Sequence, residues 1–144
     1  MIRTLLALAV GVGAGMGAMT ALARHDEKKG SAKTVVTYDL AEKLGDKKAK
    51  ATVVEVTLEA GQAGEPHRHP GPVLGYVLEG EYEWAIDDNK ARTLKAGETF
   101  YEPTGCLHRV SKNPSDKNRT RVLAVVLHPA DVKEIAIPEK DKKK

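Results

Sequence analysis

The segment Gly61-Gln62-Ala63-Gly64-Glu65-Pro66-His67-Arg68-His69-Pro70-Gly71-Pro72-Val73-Leu74-Gly75-Tyr76-Val77-Leu78-Glu79-Gly80 holds the densest information in this 144-residue chain. Side chains of an extended strand alternate faces with a period of two, so His67 and His69 point the same way. Two neutral imidazoles on one face can chelate a divalent metal. Gly61 opens the segment, Pro70, Gly71 and Pro72 follow the histidines, and the largely apolar run from Val73 to Leu78 ends in Glu79-Gly80.

Outward from this segment the chain reads as short strands. Residues 34–40 are β-branched and aromatic, and residues 51–58 alternate, with Val53, Glu55 and Thr57 opposite Val54, Val56 and Leu58. A charged loop or a single helical turn is expected over 41–50. Residues 73–78 and 81–86 flank Glu79-Gly80 and are expected to pair as a hairpin, with Tyr82, Trp84 and Ile86 on one face. Further strands are expected near 91–94, 98–102, 107–111 and 120–127, separated by turn residues. With no long segment of helical period, this spacing predicts an all-β sandwich or barrel.

A second cluster follows the first: Gly97, then Pro103-Thr104-Gly105, then His108, with Asn113 beyond it. Together the two clusters resemble the paired motifs of the cupin superfamily. Gly61, His67, His69 and Gly80 match the first motif; Gly97, Pro103, Gly105 and His108 match the second, with Asn113 one residue late. The resemblance implies a double-stranded β-helix barrel, often a homodimer, holding one divalent transition metal on His67, His69 and His108. The family's glutamate position falls on Val73, which cannot ligate, and its neighbour Leu74 cannot replace it. Among nearby acids, Glu83 and Glu102 are the candidates for a supporting acid or base if their strand faces turn inward.

Three neutral imidazoles would leave the ion its full charge and open coordination positions. Such sites resemble those of iron-dependent dioxygenases acting on small molecules, so iron is the expected metal, although manganese, nickel, copper and zinc also accept imidazole. Two other readings stay open: a non-catalytic module that holds metal and binds or senses a small ligand, and a metal-dependent isomerase or lyase. A hydroxyl from Tyr76 or Tyr101 is expected near the metal, and Cys106, two residues before His108, either packs in the core or tunes the site.

The chain begins with Arg3, an apolar Gly- and Ala-rich run over residues 5–19, and Ala21-Leu22-Ala23. This is the layout of a secretory signal peptide, too short and too rich in glycine for a stable membrane span. The expected organisation is a signal peptide over 1–23, a linker over 24–33, the barrel over 34–130 and a charged, disordered tail over 131–144, in an exported protein that is periplasmic or secreted. With 23 Lys and Arg against 20 Asp and Glu, and the excess gathered in the tail, nothing suggests nucleic-acid binding. Cys106 is the one cysteine, so no intramolecular disulfide can staple the fold and its core must hold it.

Overall fold

The computed structural model describes residues 30–139, so the expected signal peptide, most of the linker and residues 140–144 lie outside the described residues. Ten strands follow one another: β1 (Ser31–Leu44), β2 (Lys47–Leu58), β3 (His67–Arg68), β4 (Val73–Glu79), β5 (Glu81–Ile86), β6 (Arg92–Lys95), β7 (Thr99–Glu102), β8 (Leu107–Lys112), β9 (Thr120–Pro129) and β10 (Ile137–Pro138). They form two five-stranded antiparallel sheets, ordered β1-β2-β9-β4-β7 and β10-β3-β8-β5-β6. The all-β barrel expected from the strand pattern is what forms.

Between the sheets lies one apolar core: Leu58, Val77, Tyr82, Trp84, Ile86, Leu94, Phe100 and Val122, with Val56 and Cys106 packed against it. Each of the large side chains there contributes on the order of 1.5–3 kcal/mol by leaving water. The alternation is visible along β4, where Val73, Gly75 and Val77 are buried and Leu74, Tyr76 and Leu78 are exposed.

Three local expectations change. Residues 41–50 are not a charged loop, because β1 and β2 continue through them as a hairpin whose turn is at Gly45-Asp46. The runs on either side of Glu79-Gly80 are strands but not a hairpin: β4 pairs with β7 and β9, and β5 pairs with β6 and β8. Gly80, with φ of +79°, is a corner where the chain crosses from one sheet to the other. Finally, the segment after β9 returns to the barrel. β10 pairs with β3, and Arg68 bonds Glu139 at 2.9 Å, so residues 131–139 are a strap rather than the start of a solvated tail.

Candidate metal centre

Strand β3 is two residues long and sits between β8 and β10. Its register sets His67 directly opposite His108, which explains how residues distant in the chain become neighbours. His69 follows on the same face as His67, as the period-two argument requires. One ring nitrogen from each of the three histidines lies within 4.8 Å of the others. The His67 ring centroid is 4.8 Å from that of His69 and 4.9 Å from that of His108.

The tautomers of the first two follow from their partners. His67 Nδ1 lies 2.8 Å from the Glu65 carbonyl, and His69 Nδ1 is bonded to the Ile135 carbonyl on the strap. A carbonyl only accepts, so both Nδ1 atoms donate and, in neutral rings, both Nε2 atoms carry lone pairs. Those two Nε2 atoms face each other at 3.1 Å. Two acceptors cannot satisfy each other, but a cation between them satisfies both. Burial holds His69 below its ordinary pKa, and burial together with the neighbouring His67 and His69 pushes His108 down to about 3, so His69 and His108 stay neutral at pH 7.

Glu102, at the end of β7, lies beside the three histidines. It is only 1% exposed and directly opposite Val73 in the β4–β7 register, both side chains turned inward. Its Oε1 accepts the Trp84 indole N–H at 3.0 Å and lies 3.2 Å from His108 Nδ1. Its Oε2 is 3.7 Å from His69 Nε2 and has no hydrogen-bond partner. Burial raises this carboxyl to about 7, against the pull of the Trp84 bond. Two imidazole lone pairs facing each other, the third imidazole beside them and an orphaned carboxylate oxygen are a donor set that fits a divalent transition ion.

The cluster opens into a cavity of about 390 Å³ lined mostly by apolar side chains, among them Val54, Val56, Phe100 and Val126. That volume suits a small organic molecule. The buried hydroxyl near the histidines comes from Tyr82, which donates to Ser111 Oγ at 2.8 Å and lies 3.3 Å from His108 Nε2. Burial raises the Tyr82 pKa, so it stays a neutral phenol.

Tyr76 and Tyr101 are elsewhere. They stand on the outer face of their sheet, 44% and 54% exposed, because their neighbours Gly75, Val77, Phe100 and Glu102 take the inward positions. Cys106 is packed against the core, and burial pushes its thiol up to about 11, which keeps it protonated. Glu83 lies 3.8 Å from Lys112 on the opposite face from Tyr82. Of the two candidate acids, therefore, Glu102 reaches the histidines and Glu83 does not. In the sequence Tyr82 is legible only as one of three residues sharing a face with Trp84 and Ile86; its proximity to His108 depends on the β5–β8 pairing.

A family model described as Cupin domain matches residues 54–126, a span that contains all three histidines and Glu102. Among curated protein sequences, none matches the chain significantly. Among solved structures, the chain is similar to a conserved protein of Klebsiella pneumoniae with a double-stranded beta-helix domain, at TM-score 0.58 and 22% identity over 81% of this chain and 90% of that one. A Thermus thermophilus protein aligns at TM-score 0.56 and 25% identity, over 75% and 90% of the two chains. The DMSP lyase DddQ from Ruegeria pomeroyi aligns at TM-score 0.57 and 18% identity, covering 84% of this chain and 58% of that one. These likenesses show the double-stranded β-helix fold.

Proposed function

Because the chain belongs to the cupin domain family, matched over half its length, we propose that it is an exported, metal-dependent dioxygenase acting on a small molecule. The observation that carries this reading is the His67–His69 pair, two imidazole lone pairs held 3.1 Å apart beside His108. His67, His69 and His108 hold the ion, for which iron is proposed, with manganese, nickel, copper and zinc as the other imidazole-compatible candidates. When bound, iron would supply Lewis acidity and one-electron chemistry with dioxygen.

The chain's own residues do the rest. Val54, Val56 and Phe100 exclude water and receive the apolar body of a substrate. Tyr82 offers a neutral hydroxyl beside His108, while Cys106 is too firmly protonated to act as a base. Glu102 is held on Oε1 by Trp84 and turns Oε2 toward His69.

Export is supported by the leader pattern of residues 1–23. A homodimer is supported by the outer face of the first sheet, where Leu74 and Tyr101 are cross-strand partners, both more than half exposed, beside Tyr76.

The test loads the protein, cleaved after Ala23, with ferrous iron under anaerobic conditions. Dioxygen uptake is then recorded with a panel of small thiols, diketones and enolisable acids. Uptake that is lost in His108→Ala is the expected result. Uptake indifferent to His108→Ala rejects the assignment, and stoichiometric iron with no turnover of any panel member favours the ligand-holding module instead.

A further inference from the structure

We propose that Glu102, projecting from β7, is a direct fourth ligand of the ion held by His67, His69 and His108. This inference rests on the metal-binding reading above and specifies its coordination sphere. Four observations converge on it. The Glu102 side chain is almost wholly buried, and burying a carboxylate without partners is costly. Trp84 satisfies Oε1, but Oε2 has no hydrogen-bond partner, so the side chain is fixed with one oxygen unspent. That oxygen lies 3.7 Å from His69 Nε2. Two donors each about 2.1 Å from one ion are roughly 3 to 4 Å apart, and both the Oε2–His69 and the His67–His69 spacings fall in that range. Glu102 also lines the same cavity as all three histidines, so no wall separates it from them.

The register explains why the carboxylate can come from this strand. Val73, where the first motif leads one to expect an acid, is the Cα partner of Glu102 across β4 and β7. Directly opposed residues of an antiparallel pair hold their Cβ atoms about 5 Å apart, so a glutamate on either strand reaches the same region. The acid has in effect changed strands, keeping its place in the cavity. The ion then sees three neutral donors and one anionic one, which lowers the site's net charge from that of the three-histidine set.

The experiment uses cobalt(II) as the probe and reads affinity, stoichiometry and the visible ligand-field spectrum, none of which requires turnover. Wild type is compared with Glu102→Gln and with the transposed variant Val73→Glu/Glu102→Val, each checked for fold by circular dichroism. Wild type is expected to bind one cobalt ion. Glu102→Gln should bind about 100-fold or more weakly with a shifted spectrum, beyond the usual effect of losing an outer partner. The transposed variant should recover most of the affinity and the wild-type band. A Glu102→Gln variant with weakened affinity but an unchanged spectrum would make Glu102 a positioning residue and overturn the proposal, as would full affinity in that variant. If Glu102→Gln fails to fold, the transposed variant decides: wild-type affinity supports the proposal and its loss rejects it. Failure of wild type to bind cobalt, in contrast, brings down the metal reading itself.

Discussion

The indole of Trp84 donates its Nε1 hydrogen to Oε1 of Glu102 across 3.0 Å of buried space, tying β5 of one sheet to β7 of the other. The bond fixes the carboxyl's rotation and leaves Oε2 facing His69. Replacing Trp84 by Phe keeps an aromatic ring against Phe100, whose centroid is 5.5 Å away, but removes the donor. An unpaired buried acceptor costs about 1–3 kcal/mol. Urea denaturation of the metal-free Trp84→Phe protein should show a loss of that size. A loss no larger than that of a surface substitution would mean the bond does not hold Glu102.

Gly75 gives Phe100 room. A Cβ built on Gly75 would lie 2.0 Å from Cζ of the Phe100 ring, the residue directly across β4 and β7. The ring has nowhere easy to go, since Tyr82 and Trp84 flank it at 5.6 and 5.5 Å. Gly75→Ala should therefore destabilise by about 1–3 kcal/mol, the usual cost of overpacking. The double variant Gly75→Ala/Phe100→Leu should lose less than the two single losses added together. Additive losses in guanidinium melts would refute the contact as the cause.

Asn113, the late member of the second motif, is fully buried and structural. Its Nδ2 lies 3.1, 3.0 and 2.8 Å from the carbonyls of Leu58, Glu59 and Asn118, and its Oδ1 accepts the Ser115 amide at 3.0 Å. One side chain thus pins the loop before β9 to the end of β2. Asn113→Ala should cost about 2–4 kcal/mol. Asn113→Asp, which puts an acceptor where three carbonyls need a donor, should be no better. Melting temperatures of the two variants check this, and an unaltered Asn113→Asp protein would sink it.

The metal-free protein should lose stability in acid through His108. Its folded value of about 3 lies below its ordinary 6.5, so between these pH values the unfolded chain holds more protons and stability falls on acidification. Glu102 acts oppositely: its folded value of about 7 exceeds 4.5, so the native state holds the extra proton and stability falls as pH rises across that window. Each transferred proton gives a slope of about 1.4 kcal/mol per pH unit, so between pH 4.5 and 6.5 Glu102 offsets His108, while His69, also held low by burial, adds to the loss in acid. Below pH 4.5 the histidine acts without that offset, and about 2 kcal/mol should be lost by pH 3. Thermal melts should fall gently near pH 5 to 6 and more steeply below pH 4.5, and His108→Leu should blunt the drop. An equal drop in that variant would exclude His108 as its source.

Much of this was readable before any coordinates. The period-two alternation of residues such as Val73, Gly75 and Val77, the turn residues between strands and the spacing of His67, His69 and His108 are local or motif-level signals, and they suffice for an all-β barrel with three convergent imidazoles. Alternation alone does not say which face looks inward. Tyr76 and Tyr101 were expected near the metal, but they occupy the outer parity of β4 and β7, and Tyr82 supplies the buried hydroxyl.

What tertiary structure alone decided was partnership. Glu79-Gly80 marks a change of direction in either event, but only long-range pairing with β7, β9, β6 and β8 places β4 and β5 in different sheets. The same register sets Glu102 opposite Val73, and the return of residues 131–139 puts the Ile135 carbonyl on His69. The sequence determined which side chains alternate and which types can bind metal, because those are properties of near neighbours. Which of them meet was left to the packing of two sheets, because strand register is a contest among distant hydrophobic faces that no single segment contains.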